Sequence, residues 1–280
     1  MQLVDSKKIT ENIYAYIKEQ IIASDKPIKL AIIDAGNDAA SKKYIALKMQ
    51  KGMELGIQVQ LINFKEDVKI EEVLSKIDEL NKDDSVNGIL IQLRLYQHLT
   101  PYKHRILNSV NPIKDADGLS AINFGLYSQD ILNGILPATV DACLEVVKEY
   151  YKNDFNGSNV LIVNNSDLIG KPLATVFATL NATVTIANEF TKNLEDLFST
   201  ADIIVTATGK GELFDFDSVQ DSSLVIDVTS IKKDDKVVGD FKDRKDNNKD
   251  ITYTPVPGGI GPITVACLYR NLVNLSKLQK

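Results

Sequence analysis

The chain has 280 residues, of which 44% are hydrophobic and 25% are charged, a composition typical of folded proteins with one large or two ordinary domains. Its formal net charge of -6 argues against a nucleic-acid partner, because surfaces that bind phosphate backbones concentrate lysine and arginine. Cys143, Cys267 and two histidines are too few for a disulfide framework or a zinc site, so we expect no metal and a reducing, cytoplasmic location. The sequence also lacks an apolar run of about eighteen residues, so we expect no membrane partner.

Helical and extended segments alternate along the first half of the chain. Apolar residues at helical spacing, Ile13, Ile17 and Ile21 among them, precede an apolar run over 30–33. Short apolar runs between helices are typical of buried parallel strands. The further elements predicted in this half are a helix over 39–55, a strand over 57–62, a helix over 70–80, a strand over 88–93 and a helix over 140–151.

The second half repeats this alternation in the order of a Rossmann-like nucleotide domain. Strands are predicted over 159–163, 182–186, 202–205 and 224–226, with a helix that begins between 168 and 172. The polar stretch 242–250 is interpreted as a solvated hairpin or loop. The last helix, over 263–278, is expected to pack back on the first domain. The predicted fold is therefore α/β with two αβα domains, an N-terminal domain and a Rossmann-like one.

Three polar side chains share one face of the predicted helix over 39–55. Ser41, Tyr44 and Lys48 stand at positions i, i+3 and i+7, whereas Ile45 and Met49 occupy another face. A tyrosine and a lysine at this spacing are ordinarily a solvated pair with the ring half-buried. The helix pattern alone therefore does not decide between a surface pair and a site.

Two further polar features lie near the end of the strand over 88–93 and in the segment after it. Gln92 lies near the carboxyl end of this strand, where ligands gather in open α/β sheets, although a buried glutamine with satisfied hydrogen bonds is an equally good interpretation. Asp115 and Asp117 flank a turn that Gly118 permits, and most such clusters are only turns.

The most specific motif lies just before the last helix. Residues 254–264 carry prolines at 255, 257 and 262 and glycines at 258, 259 and 261, which fix an unusual backbone next to a helix N-terminus. A mere linker is not normally so stiff and so apolar.

These motifs, taken together in their order and spacing, resemble those of the bifunctional methylenetetrahydrofolate dehydrogenase/methenyltetrahydrofolate cyclohydrolases. The resemblance extends almost from end to end. Its matching segments are 41–48, 88–93, 114–118, 169–172, 236–240 and 254–264.

The resemblance implies a two-step enzyme of one-carbon metabolism, in which NADP or NAD accepts a hydride and a methenyl cation is then hydrolysed. It assigns catalytic roles to Tyr44, Lys48, Gln92 and Asp117, with Asp117 at the pterin. It assigns substrate contacts to Ser41, Tyr44, Leu93, Asp117, Pro257, Gly258, Gly259 and Ile260. It assigns dinucleotide contacts to Asn164, Asn165, Ser166, Ile169, Gly170, Pro172, Glu189, Thr208, Gly209, Ser230 and Thr264.

The dinucleotide side departs from the family pattern. The family's phosphate turn begins Gly-x-Ser, often with arginine in the middle, where this chain has Asn164, Asn165 and Ser166. The absence of that arginine removes a partner for a ribose 2′-phosphate. Glu189 stands where an acid binds ribose hydroxyls and repels a 2′-phosphate, so NAD is favoured over the family's usual NADP, although a surface glutamate without such a role is an equal alternative.

The resemblance also implies domain boundaries and partners. It predicts a folate-binding domain over 1–138 with 263–280, a nucleotide domain over 139–262, tetrahydrofolate one-carbon derivatives as substrates, a cleft between the domains and a homodimer. Two other functions stay open from the sequence. One is a cyclohydrolase with impaired or lost dehydrogenase activity, because the folate-side residues match better than the dinucleotide side. The other is a noncatalytic small-molecule-binding protein on the same scaffold.

Overall fold

A computed structural model describes residues 1–24, 26–129, 135–152, 155–242 and 249–279. In chain order its strands and helices are β1 (Gln2–Leu3), α1 (Ser6–Ile22), β2 (Lys29–Asp34), α2 (Ala39–Glu54), β3 (Gln58–Asn63), α3 (Ile70–Lys82), β4 (Gly88–Gln92), α4 (Lys103–Leu107), α5 (Ala121–Ser128), α6 (Ala138–Tyr151), β5 (Asn159–Val163), α7 (Gly170–Thr179), β6 (Thr183–Ala187), α8 (Leu194–Phe198), β7 (Ile203–Thr206), β8 (Leu224–Asp227), β9 (Ile231–Lys233), β10 (Lys236–Val238), β11 (Thr252–Tyr253) and α9 (Ile260–Leu278). Most of the loop predicted over 242–250 falls on residues 243–248, which lie outside the described residues.

The chain forms two compact units. Residues 13–138 and 265–280 make a unit around a three-stranded sheet, called here the three-stranded unit. Residues 1–12 and 139–264 make a unit around a six-stranded sheet, called here the six-stranded unit. The predicted α/β fold with two αβα domains is confirmed, and most of the last helix belongs to the three-stranded unit. Among the described residues, no helix combines the length and apolar character needed to cross a membrane.

The first twelve residues differ from the predicted domain boundary. They were predicted to belong to the folate-binding domain over 1–138, whereas they cluster with the six-stranded unit. The physical reason is β1, which pairs in parallel with β11 and forms the edge of the six-stranded sheet. A two-residue strand has no periodicity that a sequence pattern could detect.

The three-stranded sheet is parallel and has the order β3-β2-β4. Every residue of β4 is buried, as expected for a strand covered on both faces. Because β3 and β4 lie on opposite sides of β2, the chain reverses direction across the sheet at β2, and ligands gather at such a point. The loops that follow β2 and β4 meet there: a Cβ on Gly36 would lie 2.1 Å from the carbonyl oxygen of Arg94.

The six-stranded sheet is parallel throughout, with the order β1-β11-β8-β7-β5-β6. The chain runs from β5 outward to β6 and then returns to β7 on the other side of β5. The loops after β5 and β7 therefore adjoin a second reversal point. The sheet's core includes Phe198, Phe216 and Phe241, and the rings of Phe198 and Phe216 each pack on the ring of Phe241.

Candidate functional site

The centre of the three-stranded unit's candidate site is a hydrogen bond between α2 and the end of β4. Lys48 Nζ donates to Gln92 Oε1 at 3.1 Å. Gln92 is 8% exposed, and its Nε2 donates to the carbonyl oxygen of Leu93 at 2.6 Å. Both ends of this buried amide therefore have partners, and its orientation holds the lysine amine at the carboxyl edge of the sheet.

A nearby charge and burial shift the pKa of Lys48 in opposite directions. Burial lowers the pKa of its amine, and the negative charge of Asp117 raises that pKa by a smaller amount. Burial likewise raises the pKa of Asp117, while Lys48 lowers it and Asp115 raises it further. The net result favours a neutral amine at lower pH than for an exposed lysine, beside a carboxyl group that is harder to ionise than usual.

Backbone contacts on both sides of Asp117 fix the loop that carries it. Ala116 N donates to Ile89 O at 3.2 Å, and Ala138 N donates to Asp117 O at 3.2 Å. Asn271 of α9 donates through Nδ2 to Ala116 O at 3.2 Å. The aspartate is therefore held between the end of the sheet and the last helix.

The C-terminal helix α9 also contacts Lys48, through a hydrogen bond to its backbone. Tyr269 is fully buried, and its hydroxyl donates to the carbonyl oxygen of Lys48 at 2.5 Å. Neither Tyr269 nor Asn271 was predicted from the sequence as part of the site. No motif marked them, because each contacts residues more than a hundred positions away.

Ser41 and Tyr44 share α2 with Lys48 but differ in their surroundings. Ser41 is buried, and its Oγ donates to Leu93 O at 3.0 Å and to Asp38 Oδ2 at 3.0 Å. Asp38 also accepts from Ser41 N and so caps the helix. Tyr44 is 37% exposed one turn before Lys48, which leaves its ring open to a partner. The structure thus brings Ser41 to Leu93 and Lys48 to Gln92, with Asp117 near the amine.

In the six-stranded unit, the turn after β5 is built around Asn164. Its Oδ1 accepts from Ser166 N at 2.8 Å and from Gly170 N at 3.0 Å, and its Nδ2 donates to Ala207 O at 2.7 Å. A Cβ on Gly170 would stand 1.9 Å from Asn164 O, so only glycine permits this close approach of α7 to β5. Pro172 is buried in the first turn of the helix.

Asp240, which the sequence analysis placed only within a matching segment, organises the loops after β7 and β8. It is 0% exposed and accepts from Thr208 N at 2.7 Å, Thr208 Oγ1 at 2.5 Å, Thr229 Oγ1 at 2.8 Å and Gly211 N at 3.3 Å. Gly209 N donates in turn to Thr229 Oγ1 at 3.0 Å. One buried carboxylate therefore fixes two of the predicted dinucleotide contacts, Thr208 and Gly209.

Three other predicted dinucleotide contacts, Asn165, Glu189 and Ser230, are exposed on loops that follow strands of this sheet. Glu189 comes two residues after β6, and the turn that holds it is closed by Phe190 N donating to Asn188 Oδ1 at 2.9 Å. An exposed acid at this position has room to meet ribose hydroxyls.

The proline- and glycine-rich segment leads into α9. Gly258 has φ +98°, a conformation that favours glycine, and a Cβ on Gly259 would lie 2.4 Å from Pro255 O. Ile260 is buried and begins the helix. Thr264 donates through Oγ1 to Ile260 O at 3.0 Å, so its hydroxyl closes a contact within the helix.

The residues of this unit fit a nicotinamide dinucleotide. Gly209 has φ +69°. Apart from Gly209 and its two chain neighbours, no atom of the described chain lies within 4 Å of the place that a Cβ would take, so this side of its backbone is open to a ligand. Thr206 Oγ1, at the end of β7, is buried without a hydrogen-bond partner in the described part of the chain. Both lie at the edge where ligands bind in parallel sheets.

Comparison with known proteins also divides the chain into two domains, but the matched ranges place residues 4–12 in the first domain and α9 in the second. Residues 4–117 match the catalytic domain of tetrahydrofolate dehydrogenase/cyclohydrolase, and residues 137–280 match its NAD(P)-binding domain. The "Bifunctional protein FolD" of Lactobacillus gasseri is 38% identical over 274 residues, which cover 98% of this chain and 95% of that protein.

Two solved structures show that the similarity extends to the three-dimensional fold. The bifunctional methylenetetrahydrofolate dehydrogenase/cyclohydrolase FolD of Campylobacter jejuni has a TM-score of 0.92 and 33% identity, with all of both chains covered. The Trypanosoma brucei dehydrogenase-cyclohydrolase, solved with NADP and an inhibitor, has a TM-score of 0.86 and 26% identity, with 98% of this chain and 95% of that chain covered. This chain belongs to the tetrahydrofolate dehydrogenase/cyclohydrolase family.

Proposed function

We propose that this chain oxidises methylene-tetrahydrofolate to methenyl-tetrahydrofolate with NAD or NADP and then hydrolyses the product to formyl-tetrahydrofolate. The observation that carries the proposal is the Lys48–Gln92 hydrogen bond, in which a lysine of lowered pKa stands at the carboxyl edge of the sheet beside Asp117. Family membership and the NAD(P)-binding domain support the same activity.

For the oxidation, the chain's task is to bind and orient. When bound, the nicotinamide ring supplies the hydride acceptor, and alignment of the reacting groups accounts for most of the rate gain. Asp117 accepts hydrogen bonds from the aminopyrimidine edge of the pterin, and the exposed ring of Tyr44 positions the folate. Ser41 supports this arrangement through its hydrogen bond to Leu93 O.

For the hydrolysis, Lys48 acts as a general base. Water forms a bond to the methenyl carbon, and the neutral amine takes the proton that the water loses. The adduct then opens by cleavage of one carbon–nitrogen bond, and the released nitrogen takes up a proton. Gln92 keeps the amine in place through its Oε1, and burial keeps a fraction of that amine unprotonated.

Two assays test the proposal as a whole. Methylene-tetrahydrofolate is supplied with NAD or NADP and the reduced nicotinamide is followed, and methenyl-tetrahydrofolate is then supplied alone and its disappearance is followed. Activity in both assays supports the proposal. Activity in the second assay alone would make the chain a cyclohydrolase without dehydrogenase activity, and silence in both would make it a binding protein.

Asp117→Asn is expected to raise the KM for methenyl-tetrahydrofolate about 10- to 100-fold, since a charge-assisted hydrogen bond contributes about 1.5–3 kcal/mol. It should also move the pH profile of hydrolysis to lower pH, because the carboxylate raises the pKa of Lys48 and its removal leaves burial unopposed. Steady-state kinetics, measured at pH values from about 6 to about 9 in steps of roughly half a pH unit, give both the KM and the pH profile. Asp84→Asn, on an exposed aspartate of the same unit, is the matched control. An unchanged KM would remove Asp117 from the pterin site.

We further propose that NAD is the preferred dinucleotide, on the basis of Asn165 and Glu189. Glu189→Ser removes a carboxylate that repels a ribose 2′-phosphate, so kcat/KM with NADP relative to NAD should rise about tenfold. The ratio is measured by following reduced nicotinamide with each cofactor. Glu195→Ser, on an exposed acid of α8, controls for a general change in surface charge. A ratio that stays the same would show that Glu189 does not face the ribose.

We propose a homodimer from family membership alone, and a cytoplasmic location from the low cysteine content of the chain. Sedimentation equilibrium of the full chain tests the dimer directly. A monomer at concentrations where the chain is active would contradict it.

A further inference from the structure

We infer that Asn164 lowers the affinity of the chain for its dinucleotide. Its side chain accepts hydrogen bonds from the same backbone amides that a phosphate of the dinucleotide would use. The inference rests on the proposed dinucleotide site and deepens it. Asn164 Oδ1 accepts from Ser166 N at 2.8 Å and from Gly170 N at 3.0 Å. A carbonyl oxygen of this chain therefore stands where two N–H donors converge, at the start of a ten-residue helix.

The neighbouring amides also donate hydrogen bonds to acceptors within the same turn. Ile169 N donates to Ser166 Oγ at 3.2 Å, and Lys171 N donates to Ser166 O at 3.0 Å. Phosphate groups bind at the first turn of such helices through free N–H groups and the positive end of the helix dipole. Three of these four amides donate to a side chain, which can rotate away: two to Asn164 Oδ1 and one to Ser166 Oγ. Asn164 therefore holds two of the four with a single oxygen.

The other end of the same amide explains why the turn is ordered around Asn164. Its Nδ2 donates to Ala207 O at 2.7 Å and so ties the turn to the end of β7. The backbone of Asn164 also lies close to Gly170, since a Cβ on Gly170 would stand 1.9 Å from Asn164 O. This backbone contact does not involve the Asn164 side chain. A dinucleotide must displace Oδ1 from two donors, whereas a residue without this oxygen presents those donors free.

Dinucleotide affinity, measured for several Asn164 variants, shows whether the Asn164 side chain competes with the phosphate or only supports the turn. With the full chain, NADH and NADPH are titrated by the change in their fluorescence. Asn164→Gly and Asn164→Ala, which lack the competing oxygen, should bind the preferred dinucleotide about tenfold more tightly. Asn164→Asp, which keeps the oxygen and adds a charge that repels phosphate, should bind it more weakly than the unaltered chain. If the glycine and alanine variants both bind with equal or lower affinity, Asn164 only supports the turn and the inference is overturned.

Amide hydrogen exchange gives a readout that does not depend on activity. In the unaltered chain without dinucleotide, the amides of Ser166 and Gly170 should be protected. In Asn164→Ala they should exchange faster, and saturating NADH should restore their protection. Protection that persists in the alanine variant without NADH would contradict the inference.

The same experiments distinguish the two levels of failure. If the unaltered chain oxidises methylene-tetrahydrofolate but removal of Oδ1 does not tighten binding, the inference fails and the proposed function stands. If neither the unaltered chain nor the glycine variant binds NADH or NADPH, the inference fails together with the dehydrogenase step.

Discussion

Lys48→Met should lower the rate of methenyl-tetrahydrofolate hydrolysis at least about a hundredfold, the usual contribution of a positioned general base. Methionine matches the length of the lysine stem, so the packing of α2 is preserved while the amine is removed. The loss should appear in kcat, because the base acts on the attacking water and not on the folate that is already bound. Hydrolysis is followed through the disappearance of the methenyl compound.

The pH dependence of the unaltered chain identifies the amine as the active group. A base must be neutral, so the rate should rise with pH until the folded-state pKa of Lys48 is passed. Burial places that pKa below the ordinary value of 10.5. Lys48→Arg, which stays charged, should lack this rise. Lys43→Met, on the exposed face of the same helix, is the matched control and should leave hydrolysis unchanged. Near-normal hydrolysis by Lys48→Met would remove Lys48 from the mechanism.

Asp240→Ala should lower the free energy of unfolding by about 3–5 kcal/mol, because it leaves several buried donors without an acceptor. The carboxylate is fully buried and accepts four hydrogen bonds, from the backbone of Thr208 and Gly211 and from the hydroxyls of Thr208 and Thr229. The loops after β7 and β8 then lose their common anchor. Urea unfolding followed by circular dichroism measures the loss.

The effect of Asp240 on dinucleotide binding is separable from its effect on folding. Asp240→Asn retains one acceptor of the same shape, so it should unfold at a urea concentration between those of the alanine variant and the unaltered chain. Fluorescence titration with NADH, under conditions where the variant is folded, should show weaker binding, because Thr208 and Gly209 are no longer fixed. A variant with unchanged stability would show that the four hydrogen bonds contribute nothing to the folded state.

Continuous apolar runs predicted the fully buried strands of the three-stranded sheet. The runs at 30–33 and 88–93 correspond to β2 and β4, since strands buried on both faces carry continuous apolar side chains. The shortest strands could not be predicted from such patterns. β1 and β11 have two residues each, and the hairpin of β9 and β10 has three residues in each strand, too few to establish a period.

Some residues of the candidate site could likewise be predicted from the sequence, and others could not. Lys48 and Gln92 stood out because each lies at a recognisable position, one on a helix face and one at the end of an apolar strand. Tyr269, Asn271 and Asp240 did not, because their roles come from partners that are distant along the chain. No local pattern encodes such a partner.

The sequence by itself determined the α/β class, the family and the residue types available for chemistry, because these depend on local periodicity and on motifs with fixed spacing. Only the tertiary structure decided which groups share a hydrogen bond, that burial lowers the pKa of Lys48 more than Asp117 raises it, and that Asn164 accepts hydrogen bonds from the amides of its own turn. Those properties arise from desolvation and from contacts between segments far apart in sequence, and both exist only once the chain has folded.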